Sequence, residues 1–131
     1  MARTVLVPLD VEAAIIGWLN AQGVPARTQV PIERSPGMVR VTRAGGPMDG
    51  YLDRPDLFVE VWGADQGDSF DLAVRLFGLM VLMVDAEDRP EIGLRSVTPT
   101  PPVTLQDDYA PELHRHVFNV SMVCAMGQME V

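Results

Sequence analysis

The sequence contains no lysine: all ten of its basic residues are arginine. A P-loop needs a lysine to reach the phosphates, and Schiff-base and pyridoxal chemistry need a lysine amine, so these enzyme classes are excluded. The absence itself reads as the mark of a GC-rich genome that avoids lysine codons. Cysteine is nearly missing too. Cys124 stands alone and has no partner for an internal disulfide, which fits folding in a reducing compartment. The stretch from Met1 to Asp10 has no apolar run of signal-peptide length. The longest apolar run, Leu76 to Val84, is nine residues. A bilayer span takes roughly 20. An intracellular protein without a membrane segment is expected.

What is present is an ordinary globular composition with an unusual charge. The 131 residues suit a single domain, with 47% hydrophobic and 21% charged residues, which fits neither disorder nor a coiled coil. Ten basic against eighteen acidic residues give a net charge of −8. The excess is uneven: residues 1–43 carry five arginines and three acids, and the remainder five arginines and fifteen acids. Between Asp49 and Asp71 seven acids (Asp49, Asp53, Asp56, Glu60, Asp65, Asp68, Asp71) face Arg54 alone. Such a surface repels DNA and anionic membrane, which argues against sequence-specific DNA binding but is compatible with a wall that DNA slides past.

Hydrophobic spacing gives the element order helix, strand, strand, strand, helix, strand, strand. The first helix is expected over Asp10–Gln22, with Val11, Ile15, Trp18 and Leu19 on one face, Asp10 as N-cap and Gly23 closing the other end. Strands are expected at Ala26–Val30 and Met38–Thr42. Arg43–Pro55 lacks periodicity and reads as a long loop. Asp56–Trp62 is the clearest strand, with Leu57, Val59 and Val61 on one face and Phe58, Glu60 and Trp62 on a second face that is apolar enough to be covered. The second helix is expected over Asp68–Val84 with Asp68 as N-cap. Its seams Phe70/Val74/Phe77/Val81/Val84 and Leu72/Leu76/Leu79/Met83 lie nearly opposite, so it must be sandwiched, either within the chain or against a neighbouring subunit. Further strands are expected at Ile92–Val97 and Leu113–Cys124, separated by the proline-rich arm Thr98–Pro111. The expected fold is α+β: one domain over residues 1–131, a mixed or antiparallel sheet of about five strands with two helices packed on it, and loops at 43–55 and 98–111.

Little of this amounts to an active site. Glu112, His114 and His116 sit at i, i+2, i+4, and a strand would project all three from one face as a metal site requires. No fourth ligand converges, and the same face continues into Phe118, Val120 and Met122, so the histidines read as the rim of the core. A small metal-dependent enzyme built on this trio is the rival from a different class. Four serines and two histidines show no nucleophile pattern, Cys124 reads as a small buried hydrophobe, and the acidic stretch lacks the ligand spacing of a calcium loop. No enzyme activity, metal or cofactor is expected.

Several phrases resemble one family. Asp10-Val11-Glu12-Ala13 opening the first helix, the run Val39-Arg40-Val41-Thr42-Arg43-Ala44-Gly45-Gly46, the downstream Asp53-Arg54-Pro55 leading into Val59-Glu60-Val61-Trp62, and the closing Val117-Phe118-Asn119-Val120 are similar to the tail terminator proteins of long-tailed bacteriophages, especially those of actinobacteria. The similarity runs in colinear order along nearly the whole chain. It implies a structural virion protein, made in the host bacterial cytoplasm and located at the tail neck. As a hexameric ring it would cap the head-proximal end of the tail tube, stop tube polymerisation and offer a joining surface to the head's neck proteins. Other neck components (head-closure or adaptor proteins) and a tail tube protein are the alternatives within the virion. The implied partners are further copies of the chain, the tail tube protein, a head-completion protein and DNA in transit. The residues expected at a subunit or tube interface are Arg43, Met48, Tyr51, Arg54, Leu72, Leu76 and Leu79, with Arg43 and Arg54 pairing across subunits. Asp49, Asp53 and Asp56 are expected to face the channel.

Overall fold

The computed structural model describes residues 3–131. In chain order the elements are β1 (Thr4–Pro8), α1 (Val11–Ala21), β2 (Ala26–Arg27), β3 (Val39–Gly45), β4 (Met48–Asp49), β5 (Leu52–Asp53), β6 (Asp56–Gly63), α2 (Gln66–Met83), β7 (Ser96–Pro99), β8 (Val103–Thr104) and β9 (His114–Glu130). The architecture is α+β, with both helices on one face of a mixed sheet. The sheet has nine strands, more than the five expected. The difference lies in β9, whose 17 residues run on well past Cys124 and collect short partners one after another.

On one edge β9 pairs with β6, which pairs with β3, which pairs in parallel with β2. Farther along the same edge lies the β4–β5 hairpin. The opposite edge carries β8, β7 and β1 in succession. At any one level of β9 no more than five strands lie abreast, β2-β3-β6-β9-β8 being the widest row. β1, β4, β5 and β8 are five residues or fewer, too short for periodicity to reveal.

The core lies between the helices and one sheet face. Leu57, Val59 and Val61 of β6 and Phe118, Val120, Met122 and Cys124 of β9 point inward, as their alternation requires. They meet Val11, Ile15 and Leu19 of α1 and Ala73, Leu76, Met80 and Met83 of α2. The Asp10 side chain caps α1 by accepting from the Ala13 amide, and Gly23 takes the left-handed conformation (φ +86°) that ends it. α2 begins earlier than expected, because Asp65, not Asp68, is the N-cap and accepts from the Asp68 amide. Gly63 lets β6 turn directly under α2, where an added Cβ would collide with the Ser69 backbone. Two expected strands shrink or shift: Ala26–Val30 keeps only Ala26–Arg27, and Ile92–Val97 becomes Ser96–Pro99.

Candidate functional site

The sheet face away from the helices is held by charge. Glu60 of β6 is buried and accepts from Arg40 Nε at 2.6 Å and Nη2 at 2.9 Å, and from Arg115 Nη1 at 2.9 Å. Arg115 also donates to the carbonyls of Leu105 and Gln106 at 2.8 and 2.9 Å. The arm is thereby strapped across this face. Asp107 completes the strap, accepting from the Trp62 indole at 2.9 Å, from Arg34 Nε at 3.1 Å and from the Tyr109 amide at 3.0 Å. Burial works against the Asp107 carboxylate, but the hydrogen bonds from Trp62, Tyr109 and Arg34 together outweigh it and hold its pKa below the usual carboxylate range. Trp62 is fully buried, with the Arg34 and Arg40 guanidinium groups each 5.6 Å from its ring. The second face of this strand is indeed covered. Asp107 is the residue the sequence reading passed over, although a buried indole N–H calls for an acceptor.

The loop expected at 43–55 is largely a β-hairpin. β3 extends to Gly45, and Pro47–Asp53 folds back as β4 and β5 around Gly50 and Tyr51. Arg43 and Asp53 pair with each other within the chain. Arg43 Nη1 and Nη2 each donate to Asp53 at 2.7 Å, and the same side chain donates to the carbonyls of Gly45 and Gly46. The Arg43 amide, on the outer edge of β3, donates to the Glu12 carboxylate of α1. Hydrogen bonding to Asp53 raises the Arg43 pKa further. Asp53 is fully buried, so it offers no charge to a channel; Asp49 and Asp56 lie on the surface. Arg54 makes an exposed ion pair with Asp49 at 3.5 Å, an arrangement worth little in stability. Met48 and Tyr51 project from the hairpin, 55% and 82% exposed.

α2 turns a different side outward from the one expected. Leu76 is wholly buried, and Leu72 and Leu79 pack against the core, so this seam faces the chain's own sheet. Exposed instead are Val74, Val81 and Leu82, with Phe70 near the start of the helix. The helix is apolar on two sides as read, and the chain covers one of them.

No family model matches the chain. No curated protein matches it either.

The histidines do not form a metal site. His114 opens β9 and is exposed, Glu112 lies in the preceding turn, and His116 turns inward. Its Nδ1 lies 2.7 Å from Ser69 Oγ of α2 and its Nε2 3.3 Å from Thr104 Oγ1 of β8, so both ring nitrogens are engaged by the chain. Burial, with a smaller contribution from His114, lowers the His116 pKa and favours the neutral ring. Among the described residues no group of three or more His, Cys, Asp or Glu is arranged to hold a metal ion. Cys124 is buried beside the Arg43–Asp53 pair, and burial pushes its thiol up to about 11, which makes it a poor nucleophile. An open cleft of about 790 Å³ lies between α1 and the turn after α2, with Ala14, Gly17 and Ala21 on one wall and Glu87, Asp88 and Glu91 on the other. Asp88 accepts from Trp18 Nε1 at 3.2 Å and from Gln22 at 3.0 Å, so it serves to fix that turn to α1. The polar clusters around Glu60, Asp107, Asp53 and Asp88 thus tie distant elements of the chain to one another.

Proposed function

We propose that the chain is a structural virion protein of the tail terminator type. As a subunit of a hexameric ring it caps the head-proximal end of a phage tail tube, ends tube polymerisation and receives the head's neck proteins. In this role it has no catalytic activity and no cofactor. It is made in the host cytoplasm and resides at the tail neck.

The observation that carries the reading is apolar surface left bare in three separate places. These are Val74, Val81 and Leu82 on α2, Met48 and Tyr51 on the hairpin, and Val5, Met129 and Val131 along β1 and the end of β9. A single folded chain with so many uncovered apolar sites is built to be covered by other chains. The α2 patch and the hairpin, not Leu76 or Arg43, are then the contact regions. The charge supports the same reading. Arg34, Arg40, Arg43 and Arg115 are committed to Asp107, Glu60 and Asp53 in the interior, which leaves a strongly acidic exterior. Such a ring lets DNA pass without retaining it, with Asp49 and Asp56 as the channel-facing acids.

The deciding experiment is electron microscopy of the purified protein mixed with tail tubes and, separately, with tailless heads. Rings seated on one end of each tube, with growth halted, are the expected result. Filaments of the protein alone would mark a tube protein, and density at the head vertex only would mark an adaptor or head-closure protein. Failure to associate with either would overturn the reading.

A further inference from the structure

Past Ala125 the sheet narrows to two strands. β1 pairs with β9 from Thr4↔Glu130 to Pro8↔Met126, and the β4–β5 hairpin stops at Ala125. A two-stranded ribbon without a third strand or a packed layer is marginally stable in water. Here the ribbon is exposed over most of its length and keeps both outer edges open among the described residues.

The hydrogen-bond parity of those edges is fixed by the pairs that are made. Arg3 and Val131 exchange both backbone bonds, so the odd residues of β1 and β9 bond within the ribbon. The amides of Thr4 and Leu6 therefore point away from β9, while Pro8 has none to offer. On the other side the Met122 amide donates to Pro55, so the even residues of β9 point to the β6 side, and beyond the hairpin Gln128 and Glu130 have no strand beside them. Open edges of this kind are templates for a further strand.

We infer that copies of this chain join edge to edge at the ribbon, β1 of one copy adding antiparallel to the free edge of β9 in the next. Each copy carries one edge of each kind, and the two segments have equal length. In the register that sets Leu6 opposite Gln128 of the next copy, odd residues share a face with odd residues. Val5, Val7, Met129 and Val131 then form one unbroken apolar strip across the seam. Arg3 and Glu130 are the only charges on the two segments. Joining unlike edges sets these opposite signs at the same end of the seam, in adjacent register positions on opposite faces of the sheet, whereas antiparallel like edges would place them at opposite ends. The contact is heterologous, so it repeats from copy to copy, and it closes into a ring when the rotation between successive copies divides a full turn. The inference rests on the oligomer proposed above only in requiring that copies associate; it does not depend on what the oligomer caps.

Leu6→Pro and Gln128→Pro each remove one outward amide and leave the β1–β9 ladder intact. Light scattering of the wild type is expected to give a multiple of the 14.4 kDa chain mass, and each variant alone should fall to a single chain. An equimolar mixture of the two variants retains one intact seam, and its mass should stop at that of two chains. Hydrogen exchange on the wild type tests the same seam without substitution: the amides of Leu6 and Gln128 should slow at least tenfold between dilute and assembled protein. A wild type that stays a single chain, variants that assemble unchanged, or equal exchange at both concentrations would each overturn the inference. Assembly that proceeds through these edges but ignores tail tubes would leave it standing and sink the terminator reading instead.

Discussion

Arg43→Met is the substitution with the largest consequence that can be worked from the geometry. It strips a wholly buried carboxylate, Asp53, of two charge-assisted hydrogen bonds of 2.7 Å. Removing one partner of a buried pair leaves an uncompensated charge and costs about 3–5 kcal/mol. Unfolding entropy of roughly 2.1 cal/mol/K per residue gives ~0.28 kcal/mol for each degree in a chain of this length, so the expected fall in Tm is about 10–18 °C. The double variant Arg43→Met/Asp53→Leu removes both charges and loses chiefly the bonds to Gly45 and Gly46, at a cost of about 1–2 kcal/mol. The double variant should therefore be more stable than Arg43→Met alone. Thermal melts followed by circular dichroism, repeated over a hundredfold range of protein concentration, measure both. A pair closed within one chain predicts the same drop at every concentration, whereas a pair across subunits predicts a drop that shrinks towards zero as dilution separates the copies. A shift below 4 °C, or a double variant as unstable as the sum of the singles, would refute the argument.

Three further outcomes are expected. Asp107→Asn weakens the acceptor shared by Trp62, Arg34 and Tyr109, costs about 1–3 kcal/mol, and should speed hydrogen exchange in residues 103–113 ahead of the core; exchange that rises evenly over the whole chain would contradict the strap. The folded His116 pKa lies below the ordinary 6.5, so on acidification the unfolded chain takes up its proton first. The stability His116 contributes is full above pH 6.5 and is lost as pH falls through its lowered pKa; urea melts of His116→Gln between pH 7.5 and 5 should show a shallower loss than the wild type, and equal slopes would count against it. Gly63→Ala drives a Cβ into the Ser69 backbone and should cost about 1–3 kcal/mol, read as a Tm several degrees lower; an unchanged Tm would mean that α2 does not dock on β6 as described.

Much of the fold was legible because its signals are periodic. The inward faces of β6 and β9, the α1 face with its Asp10 cap, and the cover over Trp62 all follow from spacing of three to four or of two. The second apolar side of α2 was legible too, but its orientation was not. Leu76 and Val81 are equally apolar by letter, and only the position of the sheet decides which one is buried. Arg43 was placed outward for the same reason, while Met48 and Tyr51 do stand on the surface. An arginine flanked by glycines reads as free to reach outward, and Arg43 is instead folded back on Asp53 by a hairpin whose strands are two residues each. His114 and His116 share a strand face by count, yet β9 begins at His114, and the ring of His116 is drawn inward by Ser69 and Thr104.

The sequence by itself settled what depends on composition and local spacing. It excluded lysine chemistry, set the acidic balance, and marked two helices and the strands long enough to alternate. Tertiary structure decided what depends on residues far apart in the chain. Asp107 meets Trp62, and Arg115 meets Glu60, only because β9 and the arm return to β6, 45 and 55 residues away in the chain. It also fixed which apolar groups the chain covers and which it leaves for others. Burial is a property of the assembled sheet and its two helices, and no residue carries it alone.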